Sequence, residues 1–263
     1  MQQVDLQEDI NAVRDCGPIK VWSVVVTILG DLLQDKESWI SGPVLDALVR
    51  PLGINNQALR VALHRLRRDG WVVTEKRGRM SAHRLSAEGW AATERARPQV
   101  YGAKGNAAAT VSLLIGEPSL AVAEFEALLP AGAVPLSTRS ALVSDLSETP
   151  QGCLLSAFAP SDMPEWVTET VAPQVMRAEY DELASVVEKV LAHPVPEDLF
   201  DRTSLRLVVL HHWRRLCLRH GAVQDLVLPR DWEGARARQM VLRAFQHLPR
   251  PNIDALEQRV PLR

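Results

Sequence analysis

Apolar positions first become regular after Gly17-Pro18, where Val21, Val25, Ile28 and Leu32, flanked by Trp22, Leu29 and Leu33, recur at the three-to-four residue spacing of a helix face. The β-branched run Val24-Val25-Val26 would suit a buried strand equally well, and helix is the reading adopted. Before it, Met1–Asp15 shows no clear pattern and is compatible with a loose arm or with a tail exchanged between subunits. A polar turn over Gln34–Ser38 leads into a short extended piece at Trp39-Ile40. Ser41 followed by Pro43 then has the form of a helix N-cap and first-turn proline. Leu45, Leu48 and Val49 make the inward stripe of that helix, which must end by Pro51.

Gly53 supplies the left-handed backbone a tight helix-to-helix corner requires, and Asn55 is placed to cap the next helix with its side-chain oxygen. On that helix Leu59, Ala62, Leu63 and Leu66 form a core stripe, and Gly70 stops it. Gln57, Val61, His64 and Arg68 fall on the opposite side, with Arg60 and Arg67 on one flank. Trp71–Lys76 and Met80–Leu85 are strand candidates joined by Arg77-Gly78-Arg79, a hairpin turn centred on glycine. Ser86 and Glu88 open a further helix that Pro98 is expected to stop near Arg97. Helix, tight corner, helix and basic hairpin together predict a winged helix-turn-helix over Trp39–Leu85.

Beyond a linker at Gln99–Asn106 the pattern changes. Thr110–Ile115, Ser140–Asp145 and Cys153–Phe158 are apolar enough for strands, and Ser119–Leu129 is expected to be a helix burying Leu120, Ala123, Phe125 and Leu128. These predict a small central α/β domain of ferredoxin-like type. The segment Pro160–Pro173 separates it from helices expected at Gln174–Leu191, Glu197–Arg219 and Asp231–His247. The expected fold class is therefore α+β multidomain, with a DNA-binding domain over 1–98, a central domain over 104–170 and a helical C-terminal domain over 171–263.

Charge sharpens the picture of the first domain. The chain has a net charge of -2, yet Asn55–Ser86 holds eight Lys or Arg against Asp69 and Glu75, a local +6 that leaves -8 on the rest. Such a patch, on the side the core stripe leaves free, is the footprint of a nucleic-acid reader. Gln57, Arg60 and His64, with Val61 between them, could reach base edges in a major groove, while Arg67 and Arg68 meet phosphates. Lys76, Arg77 and Arg79 on the hairpin could enter the minor groove or clamp the backbone. The competing reading is a merely solvated face, against which stands the agreement of motif and charge. Asn55, at the corner, belongs to the same set of DNA-facing positions.

Other chemistry finds little support. Cys16, Cys153 and Cys217 are far apart, odd in number and without a CxxC pair, as expected of reduced thiols in the cytoplasm. No signal peptide or bilayer-spanning run is recognisable, so no membrane partner is expected. His211-His212 are adjacent and no HxxxH or HExxH occurs, so no metal is predicted; GxSxG, GxGxxG and the P-loop pattern are also missing, and neither catalytic residues nor an enzyme is predicted. Trp213 beside Arg214 and Arg215 would suit an anionic ligand with an acyl or aromatic part. The alternative is a core helix whose arginines pair with Asp225, Asp231 or Glu233, and the residue chemistry alone favours that alternative.

Val24–Asp31, Pro51–Asn55, Arg60–Leu66 and Asp69-Gly70-Trp71, together with His211–Arg215 and Leu228–Gly234, resemble the phenylacetic acid degradation repressor family, the PaaX-like regulators. The resemblance implies a homodimeric winged-helix repressor of palindromic double-stranded operators, with a central domain similar to the small CRISPR-associated nuclease Cas2 but no nuclease activity. It also implies release by an acyl-CoA effector, phenylacetyl-CoA in the best-known members. Effector binding in the body is expected to reorient the two DNA-binding heads, so that half-site spacing is lost. Members usually carry Asp-Pro in the loop where this chain reads Arg219-His220-Gly221-Ala222-Val223. An architectural or CRISPR-associated DNA-binding module with no effector is the alternative, and an acyl-CoA enzyme with a regulatory head is a third.

Overall fold

The computed structural model describes residues 2–78, 80–102, 110–144, 146, 148–157, 163–221 and 223–260. Arg79, residues 103–106 of the expected linker, and the strand ends Asp145 and Phe158 lie outside them. The chain is mixed α+β, with two small antiparallel sheets and a helical C-terminal part. It divides into two compact units, one of residues 1–97, 182–214 and 239–263, the other of residues 98–181 and 215–238.

In chain order the elements begin α1 (Gln2–Arg14), α2 (Val21–Leu32), β1 (Ile40–Ser41), α3 (Gly42–Val49), a 3-10 turn over Arg50–Leu52, α4 (Asn56–Arg68), β2 (Val72–Arg77), β3 (Met80–Leu85) and α5 (Ala87–Tyr101). The apolar run at 21–32 is a helix and not a strand, and residues 24–32 are buried on every side. The N-terminal segment is a helix too, not a loose arm, because Ile10 and Val13 are buried in the first unit. Pro98 does not stop α5. The proline forfeits one helical bond, but Val100 is buried a step further on and the Gly102 N–H bonds the Pro98 carbonyl at 2.9 Å.

Then follow β4 (Val111–Gly116), α6 (Val122–Leu128), β5 (Val134–Ser137), β6 (Ser140–Ser144), β7 (Cys153–Ala157) and α7 (Glu165–Val171), and after them α8 (Gln174–Ala192), α9 (Leu199–Arg219), α10 (Val223–Val227), α11 (Glu233–His247) and α12 (Ile253–Glu257). Strands β5, β6, β4 and β7 lie in that order with every neighbour antiparallel. Their core is Leu114, Phe125, Ala141 and Val143. Helix α6 is only seven residues long and turns a single residue, Phe125, fully inward. Leu120 packs at the edge of that core, whereas Ala123 is exposed and Leu128 is 38% exposed, against expectation.

Polar residues stud the buried part of α9 in the first unit. Thr203 and Ser204 donate to the carbonyls of Leu199 and Leu48, at 2.6 and 3.0 Å, and His211 Nδ1 lies 3.4 Å from the Thr27 hydroxyl. Hydrogen bonding is what allows these groups to be inside. The two adjacent histidines are thus core residues, and both are buried.

Candidate nucleic-acid interface

The corner between α3 and α4 is built by side chains capping backbone. Ser41 accepts from the Val44 N–H at 3.4 Å, and Asn55 accepts from the Ala58 N–H at 2.8 Å. Gly53 sits at φ 78°, in the left-handed region. Asp46 staples the two helices together, accepting from Arg50 at 2.6 Å and from Asn56 at 2.9 Å. Burial opposes ionisation of that carboxyl, and the bonds from Asn56 and Arg50 more than offset it, so Asp46 titrates below the usual carboxylate range.

Helix α4 buries Leu59, Ala62, Leu63 and Leu66, the same four positions the sequence marks, and packs against α2. Its other side is open: Gln57, Arg60, His64, Arg67 and Arg68 are exposed, and Val61 is 61% exposed. β2 and β3 pair from Val72↔Leu85 to Arg77↔Met80, closing at Gly78, and β1 adds a third strand on the far side of β3.

The cations on this face are not equivalent. Arg65 lies over the Trp22 ring at 5.4 Å and Arg68 bonds Asp69 at 3.0 Å, so part of the charge at the end of α4 is committed within the protein. Arg77 pairs with Glu75 and stacks on Trp39 with its centre 4.8 Å from the ring, while Arg84 takes Trp39 at 4.9 Å. Lys76 is exposed. Arg60 and Arg67 make no ion pair among the described residues. With His64 they line one groove of about 980 Å³, which α3, α4 and the hairpin enclose together with Phe200, Arg259 and Val260. Arg50 and Arg259, which the sequence did not single out, line it as well. His83 on its wall is buried, bonds Thr74 at 2.9 Å, and is pushed down by burial to about 4, so it is neutral near pH 7.

The second set of candidates, Trp213, Arg214 and Arg215, lies on consecutive positions of α9. Trp213 is 1% exposed, so its ring has no face open to a ligand. Arg214 lies in the first unit, 3.5 Å from the Ser23 hydroxyl, and Arg215 in the second, 3.5 Å from Glu179. Of the three carboxylates proposed as their partners, Asp225 pairs with Arg238 and Glu233 with Arg177, both within the second unit. No cluster of three or more His, Cys, Asp or Glu that could hold a metal occurs among the described residues, and no helix there is long and apolar enough to cross a membrane.

An exposed basic helix held at a capped corner beside a hairpin defines a chain with a cationic, outward-facing helical surface. The family model described as PaaX-like protein matches residues 20–89, and that of the PaaX-like protein C-terminal domain matches residues 173–257. This chain belongs to the PaaX-like family. It is 26% identical over 291 residues to the transcriptional repressor PaaX of Escherichia coli (strain K12), an alignment covering 92% of this chain and 84% of that protein.

Proposed function

We propose that the chain is a transcriptional repressor and not an enzyme, binding double-stranded DNA through α4 and the β2–β3 hairpin in the manner of a winged helix-turn-helix. The observation that carries this reading is the exposed row Gln57, Arg60, Val61, His64 and Arg67 on a helix whose opposite stripe is buried. An α-helix fits the major groove, and arginine and glutamine there can make paired bonds to base edges. The name of the E. coli relative and membership of the PaaX-like family support the repressor role. Asn55, whose oxygen is occupied as a cap, contributes by fixing the start of the reading helix.

The repressor acts as a homodimer on palindromic operators, since two copies of one reading helix match two half-sites related by a two-fold axis. Its central segment is ferredoxin-like, a reading supported by the strand order β5-β6-β4-β7 with α6 crossing between β4 and β5. Release is by an acyl-CoA effector of the phenylacetate type, from an operon for aromatic-acid catabolism. Titrating the full chain against a labelled fragment from its own upstream region, with and without phenylacetyl-CoA, tests the whole reading. Tight binding weakened by the thioester is expected; binding that ignores it would leave an architectural DNA-binding module.

A further inference from the structure

The groove beside α4 is chemically two-sided. Its lining has an apolar part, Pro43, Ala47, Leu63, Met80, Phe200 and Val260, all buried or half-buried, and a cationic part, Arg50, Arg60, Arg67 and Arg259, all exposed. Asp46 is the one carboxylate among its lining residues and is already bonded to Arg50 and Asn56. Arg259 approaches Asp198 only at 3.8 Å, and both side chains are more than half exposed. At about 980 Å³ the groove is at the upper end of the roughly 300–1,000 Å³ typical of small-molecule sites.

A DNA backbone makes little use of such an apolar lining, because its phosphates are charged and stay hydrated. An organic anion with several negative charges and an apolar arm uses both parts at once. Its charges meet guanidiniums able to fork onto phosphate or carboxylate, and its arm leaves water against Phe200 and Val260. We infer that this groove binds an amphipathic organic polyanion of the acyl-CoA class, and that this ligand and operator DNA exclude one another because both require Arg60 and Arg67. The inference rests on the reading of α4 as the DNA-contacting helix and names the site and manner of release. Repression is lifted by occupation of the reading face itself, with no reorientation of heads needed.

Two measurements on the full chain separate this claim from the one beneath it. The fluorescent apolar anion 1-anilinonaphthalene-8-sulfonate serves as a probe that does not depend on the effector's identity. Its enhanced emission with the protein should be displaced by operator DNA and should fall several-fold in Phe200→Ala and Arg259→Ala. Persistence of the signal in both variants, or its indifference to DNA, overturns the groove assignment. With phenylacetyl-CoA, the apparent Kd for operator should climb in proportion to ligand without a plateau. Each variant should need about tenfold more ligand for the same release, while Kd without ligand stays within about twofold of the parent. A plateau at saturating thioester overturns mutual exclusion and leaves effector control standing. Indifference to the thioester, with the dye still displaced by DNA, rejects this effector and retains the groove.

Discussion

Arg206 grips Asp31 with two hydrogen bonds, Nε to Oδ2 at 2.8 Å and Nη2 to Oδ1 at 2.9 Å, across 175 residues of sequence. The carboxylate is completely buried and the guanidinium side chain is 4% exposed. Nη1 of Arg206 donates to the Leu248 carbonyl at 2.8 Å, its plane covers Phe245, and Arg250 adds a third bond to Asp31 at 3.1 Å. Helix α2, which packs against α4, is thereby fastened to α9 and to the end of α11 within one unit.

Truncating Arg206 to Ala takes its two-bond fork from the buried Asp31 carboxylate and leaves the single bond from Arg250, and the expected loss is about 3 kcal/mol of unfolding free energy. Arg206→Lys should fall between, since an ammonium cannot supply the same fork. Urea unfolding of the three proteins measures this. A loss below about 1 kcal/mol in the Ala variant would mean that Arg250 alone satisfies Asp31.

The caps at the corner make a separate prediction. Asn55→Ala removes the acceptor for the Ala58 N–H and should cost about 1 kcal/mol, whereas Asn55→Asp should cost little. Operator affinity should fall more than stability does, because the cap sets where α4 begins. Equal and small effects of both substitutions on DNA binding would remove that role.

Readout and clamping are separable by salt. Arg60→Ala should weaken operator binding by about 1–3 kcal/mol and non-specific binding far less. Lys76→Ala should weaken both alike and lower the slope of log affinity against log salt by about one unit. Fluorescence anisotropy between about 50 and 200 mM salt gives both quantities for each protein. Identical behaviour of the two variants would contradict the division.

Stability should also fall in mild acid. His83 is held by burial to about 4, and His220, by burial and the neighbouring Arg219, to about 4, whereas an unfolded histidine titrates near 6.5. The unfolded chain therefore binds protons that the folded chain refuses, so stability is full above about pH 6.5 and declines as pH drops toward 4. Thermal unfolding across that interval should show the decline, and His83→Gln should flatten it. A pH-independent midpoint would show that the histidine environments are solvated.

Residues 39–85 are the most legible in sequence because their signals are local. Ser41, Gly53, Asn55 and Gly78 act on the backbone beside them, and the stripe Leu59, Ala62, Leu63 and Leu66 needs no partner to be recognised. What stayed hidden is decided at a distance. Asp31 looks like a break in an apolar run until Arg206 and Arg250 are placed on it. Trp213 beside two arginines allows a binding surface or a core helix, and its indole is buried, as the second reading requires. Strand β5 escapes because Pro135 interrupts a four-residue edge strand whose register shifts at that point. The groove could not be read at all, since Phe200, Arg259 and Val260 reach it from the far end of the chain.

In vitro selection from random duplexes with the full chain should enrich an inverted repeat whose half-sites are centred about one helical turn, roughly 10 base pairs, or a multiple of it apart, with the enrichment lost in Arg60→Ala. A selected pool no richer in any sequence than the starting one would contradict the reading of α4 as the DNA-contacting helix.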